Sequence, residues 1–155
     1  MALRKILTVS ADEKRLRCVS KPVAEFNSKL FDLIDDLHDT LKKADGLGLA
    51  APQVGILKRV AIVIDADSGK SYELINPVII GQEGEAYADE GCLSIPKYFV
   101  KTKRPAKVTV RTHLRNGTVT EYTGEGMLAR AFCHELDHLD GKLFTDINGG
   151  QPEKK

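Results

Sequence analysis

The chain has no apolar run near the ~18 residues that a membrane span requires, and no repeat, low-complexity tract or linker divides it. Its formal net charge is only +1, which gives bulk electrostatics no hold on nucleic acid or an anionic bilayer. Neither is expected as a partner. Cysteine is scarce: Cys18, Cys92 and Cys133 are odd in number and irregularly spaced, a poor framework for disulfides. A reducing compartment fits, where a thiolate is free to bind metal. The opening Met1-Ala2-Leu3-Arg4-Lys5-Ile6-Leu7 lacks the long apolar stretch of a signal peptide, so the expected location is the cytoplasm. A processed organellar form would look the same.

What is present reads as one globular domain. Of 155 residues, 42% are apolar and 29% charged, an ordinary balance for a chain able to bury roughly two-thirds of its unfolded surface. A single catalytic domain over residues 1–148 is expected, with 149–155 a disordered tail. In 26–43 the apolar positions Phe26, Leu30, Leu33, Ile34, Leu37 and Leu41 recur at helical spacing. Asn27 or Ser28 serves as N-cap, and Lys42 and Lys43 suit the helix C-terminus. His38, among Asp35, Asp36 and Asp39, reads as a solvated surface histidine. A polar turn or short helix is expected over 12–16, and short strands over 60–65 and 74–80, the second interrupted at Asn76-Pro77. Residues 108–122 form a hairpin about Asn116-Gly117, and a helix runs from Met127 to Leu139 until Gly141 breaks it. The order of elements predicts an α+β domain with mixed or antiparallel sheets.

That last helix carries His134-Glu135-Leu136-Asp137-His138. Residues four apart on a helix face the same way, so His134 and His138 can grip one cation, with Glu135 beside it to manage a proton. The pattern predicts metal-assisted hydrolysis. Catalytic sites of this kind use three protein ligands and keep one position open for water. The protease continuation with a third histidine six residues on fails, because Phe144 stands there although Gly141 is in place. A downstream glutamate fails too, since the only one after His138 is Glu153. The third ligand must come from upstream. Cys133 points about 100° away from His134 around the helix and belongs in the core. Cys18 has no motif around it and reads as a small buried apolar residue. Cys92, preceded by glycine in Asp89-Glu90-Gly91-Cys92-Leu93-Ser94, is the best candidate.

Three segments, in this order, resemble the signature motifs of the peptide deformylase family: Gly46-Leu47-Gly48-Leu49-Ala50-Ala51-Pro52-Gln53, Glu90-Gly91-Cys92-Leu93-Ser94 and His134-Glu135-Leu136-Asp137-His138. Arg15-Leu16-Arg17, Lys21-Pro22-Val23 and Asp140-Gly141-Lys142-Leu143-Phe144 agree as flanks, so the resemblance spans residues 3–147. It implies strands cradling a central motif helix. It also implies a hydrolase that removes the formyl group from the N-terminal formyl-methionine of nascent polypeptides, releasing formate.

Carried over by motif position, Cys92, His134 and His138 hold one divalent ion, natively Fe2+ and replaceable by Zn2+, Ni2+ or Co2+. The family mechanism has metal-bound water attack the formyl carbonyl, with Glu135 as general base and then acid, and Gln53 and the Leu93 N–H stabilising the oxyanion. Gly46, Leu47 and Gly48 would present backbone to a peptide lying alongside as an added strand. Gly48 and Gly91 read as clearance for that peptide and for the metal. Leu47, Met127 and Ala131 match the methionine pocket, unless they simply belong to the core.

Two positions depart from the family. Arg130 stands where some relatives carry an apolar pocket residue, and is expected to lay its stem on the pocket wall and snorkel its head outward. Phe99 stands where others have an arginine near the peptide exit. The family's C-terminal ribosome-docking helix has no counterpart after Ile147, which leaves ribosome contact unsupported. Two rivals lose on ligand count: a general metallopeptidase lacks its downstream ligand, and structural metals close with four protein ligands.

Overall fold

The computed structural model describes residues 2–149 and 153–154. Helix α1 covers Val9–Leu16 and helix α2 covers Ser28–Ala44. Asn27 Oδ1 accepts the Leu30 N–H at 3.2 Å and so caps α2, while Lys42 and Lys43 sit at its negative end. Its buried stripe of Leu30, Leu33, Ile34, Leu37 and Leu41 follows the helical period read from the sequence.

Five antiparallel strands form the main sheet in the order β1 (Gly48–Ala50), β2 (Val60–Ile64), β3 (Ser71–Glu83), β6 (Lys107–His113), β7 (Val119–Glu125). The unbroken apolar run of β2 has a simple cause: both its faces are covered. Val60 and Ile62 join the core under α2, and Ala61 and Val63 join the core under α3 (Met127–Leu139). In β3 the interruption at Asn76-Pro77 is a bulge, with the register shifting between Ile75 and Val78. Proline has no N–H to give a ladder, and Asn76 compensates by bonding both the N–H and the carbonyl of Val23.

A second sheet pairs β4 (Ala86–Cys92) with β5 (Ile95–Arg104), and Glu153–Lys154 adds β8 against Tyr98 and Phe99. The 86–104 hairpin was not expected from the sequence, because its inward positions Glu90, Thr102 and Arg104 are polar and erase the apolar alternation. Helix α3 lies between the sheets. Phe132 and Leu139 bury against the five strands, while His134, Arg130 and Asp137 bond to the hairpin. Its end is sharp: Gly141 has φ +74, and a Cβ there would come within 2.8 Å of the Arg17 carbonyl carbon.

The α+β fold with a central motif helix is thus observed, with one refinement. The described ladders are all antiparallel, and the isolated Lys21–Lys58 bridge is the parallel pairing among the described residues. Two residue readings need correction. Cys18 is half-buried, not a core residue, because it lies just past the C-terminus of α1, where its thiol meets the Lys14 carbonyl. His38 is not freely solvated: its Nε2 lies 2.8 Å from Oε2 of Glu73 on β3. Most of the tail expected from residue 149 onward lies outside the described residues. No described helix is long and apolar enough to cross a membrane.

Glu73 also accepts two bonds from Arg115, and that guanidinium, ahead of His38, lowers its carboxyl to about 2. A carboxyl lowered by folding adds stability that is present above its unfolded pKa and is lost as pH falls through the folded one. Replacing Glu73→Gln should therefore cost roughly 1–2 kcal/mol at pH 7, after allowance for solvent screening. The variant's stability should also vary less than wild type between pH 4.5 and about 2. Urea unfolding across that range measures both, and superimposable curves would contradict the assignment.

Candidate metal centre

Each wall of the site comes from a different element. Helix α3 turns His134, Glu135 and His138 inward, and all three are buried. Cys92 ends β4, where the register shift after Glu90 re-aims it toward the helix. Gln53 sits in the short 3₁₀ turn 51–54 after β1. Backbone bonds tie these loops together: Leu7 N–H donates to Gln53 O at 2.7 Å, and Val9 N–H to Ser94 O at 2.9 Å.

Cys92, His134 and His138 come together, each offering one ligand atom, all within 4.8 Å of one another. Cys92 Sγ lies 3.2 Å from His138 Nε2. Glu90 Oε2 accepts from His134 Nδ1 at 2.5 Å, which fixes the tautomer and leaves Nε2 for the site. Phe144, the residue that cannot ligate, packs its ring against His134 at 5.9 Å.

The electrostatics suit a cation. Burial opposes ionisation of Glu90, but bonds from His134 and Arg104 hold its carboxyl well below the usual range. Burial would lower His134 as well, yet Cys92, Glu90 and Glu135 together raise its proton affinity well above the ordinary value, and a metal cation held by the same negative surroundings would take the place of the Nε2 proton. His138 is driven well down, by burial first and by His134 second, so it stays a neutral imidazole. One sulfur at the end of β4 and two imidazoles on α3 are a donor set that fits Zn2+ or Fe2+. Three protein donors, one fewer than structural metal sites use, is the number typical of catalytic ones.

Glu135 lies beside the ligands, pushed up to about 7 chiefly by burial, and its Oε1 has no hydrogen-bond partner among the described residues. Gln53 is buried, which excludes a merely solvated surface role. Its Oε1 accepts the Ala50 N–H at 2.9 Å, so the amide cannot flip, and Nε2 faces Ser94 Oγ at 3.1 Å and Cys92 Sγ at 3.7 Å.

A pocket of about 450 Å³ opens over these groups. Gln53, Cys92, Leu93, His134 and Glu135 line it, as do Gly46, Leu47, Gly48, Gly91, Met127 and Ala131, whereas His138 sits behind the wall. Met127 and Leu47 are 55% and 41% exposed at its mouth, so they are not core residues.

Two glycines have a second reason to be there, and one expectation changes. Gly48 makes room for Glu135: a Cβ there would come within 2.9 Å of Glu135 Cδ. Gly91 makes room for the Phe99 ring, whose edge would lie 2.5 Å from such a Cβ. Arg130 does not snorkel outward, because Glu90, Thr102 and the Ala86 carbonyl bind its head inside the protein. Sequence reasoning missed the roles of Glu90, Thr102, Arg104, Ser94 and Asp137. Only Glu90 had a signal available, as a carboxylate two residues before the candidate ligand Cys92.

Among known proteins, the family description "Polypeptide deformylase" matches residues 3–152. The peptide deformylase of Caldicellulosiruptor bescii is 51% identical over 146 residues, covering 94% of this chain and 86% of that one. The crystal structure of a peptide deformylase from Legionella pneumophila has a TM-score of 0.87 at 43% identity, covering 94% of this chain and 85% of its own. The Met-Ala-Ser-bound structure of the class I type b enzyme of Acinetobacter baumannii has a TM-score of 0.85 at 30% identity, covering 94% and 98%.

Elemental analysis of anaerobically purified protein should find one divalent ion per chain. Cys92→Ala and His138→Ala should each abolish stable retention on gel filtration. Full metal content in the Cys92 variant would remove that sulfur from the ligand set.

Proposed function

This chain belongs to the polypeptide deformylase family, and from that premise we propose how its residues release formate from the N-terminal formyl-methionine of nascent polypeptides. The observation that carries the proposal is the meeting, on one pocket, of three metal-competent donors, a buried carboxylate tuned near neutrality and a locked amide donor.

Cys92, His134 and His138 are the ligands, for Fe2+ natively and for Zn2+, Ni2+ or Co2+ as replacements. When bound, the ion acts as a Lewis acid that lowers the pKa of a water toward ~7 and polarises a carbonyl. The protein's own groups do the rest. Glu135 takes a proton from water and returns it to the departing amine; a buried carboxyl near 7 can do both at neutral pH. Its unpartnered Oε1 is free to receive that proton.

Negative charge growing on the formyl oxygen is met by the Gln53 amide and the Leu93 N–H, a donor of this kind being worth ~3–4 kcal/mol. Gln53 enters the reaction already oriented, because Ala50 fixes its carbonyl end. The peptide backbone lies along β1, which stands at the edge of the sheet and pairs among the described residues with β2. Gly46, Leu47 and Gly48 line that side, and added-strand binding needs such an edge. The methionine side chain enters between Leu47, Met127 and Ala131. A structural relative that holds Met-Ala-Ser supports a peptide beginning with methionine as the occupant.

Glu135→Gln should keep metal yet lose about 10²–10⁴-fold in formate release from formyl-Met-Ala. Acetyl-Met-Ala should not be cleaved by the wild type. Gly48→Ala should displace the Glu135 carboxylate and lower kcat at least tenfold with metal retained, because the new methyl meets Glu135 before it meets the peptide. Wild-type turnover in Glu135→Gln would overturn the assignment of the base.

A further inference from the structure

Arg130 lies one helical turn before His134, is 4% exposed, and takes no part in the reaction proposed above. Its contacts reach both strands of the β4–β5 hairpin. Arg130 Nη1 donates to Glu90 Oε1 at 3.1 Å, to the Thr102 carbonyl at 3.2 Å, and to Thr102 Oγ1. Its Nη2 donates to the Ala86 carbonyl at 2.8 Å. Thr102 Oγ1 passes a bond on to Glu90 Oε1 at 2.7 Å.

The geometry points to Arg130 as a positioning residue for the metal centre, clamping the hairpin that carries Cys92 onto the helix that carries His134 and His138. The inference rests on the Cys92–His134–His138 centre proposed above. Its logic is mechanical. Cys92 and the two histidines belong to separate elements, so ligand spacing depends on how the hairpin docks on α3. Bonds across that interface include His134 to Glu90 at 2.5 Å and Arg104 to Asp137 at 2.7 Å, and each joins one hairpin residue to one helix residue. Arg104 otherwise bonds Glu90 within its own hairpin.

Arg130 holds Ala86, Glu90 and Thr102 at once, on both strands. Glu90 is also the acceptor that orients His134. A planar fork can serve three acceptors along a strand pair, whereas a lysine ammonium at the same stem cannot reach them together. Arg130 also lines the pocket, so the clamp borders the site directly.

The test uses Co2+-loaded full-length protein with wild type, Arg130→Lys and Arg130→Met. Expected is one Co2+ per wild-type chain with a thiolate charge-transfer band, and release to a competing chelator at least tenfold faster from Arg130→Met. That variant's band should shift in position or intensity, and Arg130→Lys should fall between the two. A lower apo melting temperature with unchanged Co2+ release and unchanged spectrum would mean that Arg130 only stabilises the fold, and the inference fails. Should Arg130→Met not fold, Arg130→Lys decides by the same two readouts. Wild-type protein that binds no Co2+ would remove the metal centre itself, and this inference with it.

Discussion

A single buried carboxylate governs how this molecule is assembled. Glu90 accepts five bonds: from Thr102, from two nitrogens of Arg104, from Arg130 and from His134. Taking an anion out of water costs several kcal/mol, and only a complete set of donors offsets that cost. The donors belong to two elements, β5 of its own hairpin and helix α3. The hairpin therefore docks on the helix in the one arrangement that satisfies Glu90, and that arrangement delivers Cys92 to the two histidines. Fold and site are set by the same bonds.

Close packing around the carboxylate Glu135 repeats this theme with apolar means. Gly48, on the edge strand, lets the base lie against backbone, and burial there raises its proton affinity toward neutrality. The glycines of both upstream motifs accommodate neighbouring side chains, Glu135 in one case and Phe99 in the other. Phe99 thereby becomes part of the pocket wall, where the family resemblance led one to expect an arginine's place at the exit.

Legibility in the sequence followed the physics of periodicity. Helix α2 could be read because its apolar stripe and Asn27 cap are local, and α3 because Gly141 ends a helical run that begins at Met127. The Asn116-Gly117 hairpin was legible from two residues. The β4–β5 hairpin was not, since its buried positions carry Glu90, Thr102 and Arg104 in place of apolar side chains. His38 and Cys18 were misread because their partners carry no sequence signal: Glu73 lies across the fold, and the Lys14 carbonyl is a backbone group that every residue has. Of the site, the donor types were visible and their supports were not.

The sequence by itself determined the chemistry on offer: two imidazoles and a carboxylate on one helix, a thiol bracketed by glycine and leucine, and a glycine-rich stretch ending in glutamine. Helical geometry places His134 and His138 together without help from the rest of the chain. Only the tertiary structure decided that Cys92 is 3.2 Å from His138, that Gln53 is held by Ala50, and that Arg130 points inward. The first and the last depend on contacts between segments tens of residues apart, and Gln53, though held locally by Ala50, is aimed by its bond to Ser94 from another such segment. They are fixed by burial and hydrogen-bond satisfaction across elements, which no local spacing encodes.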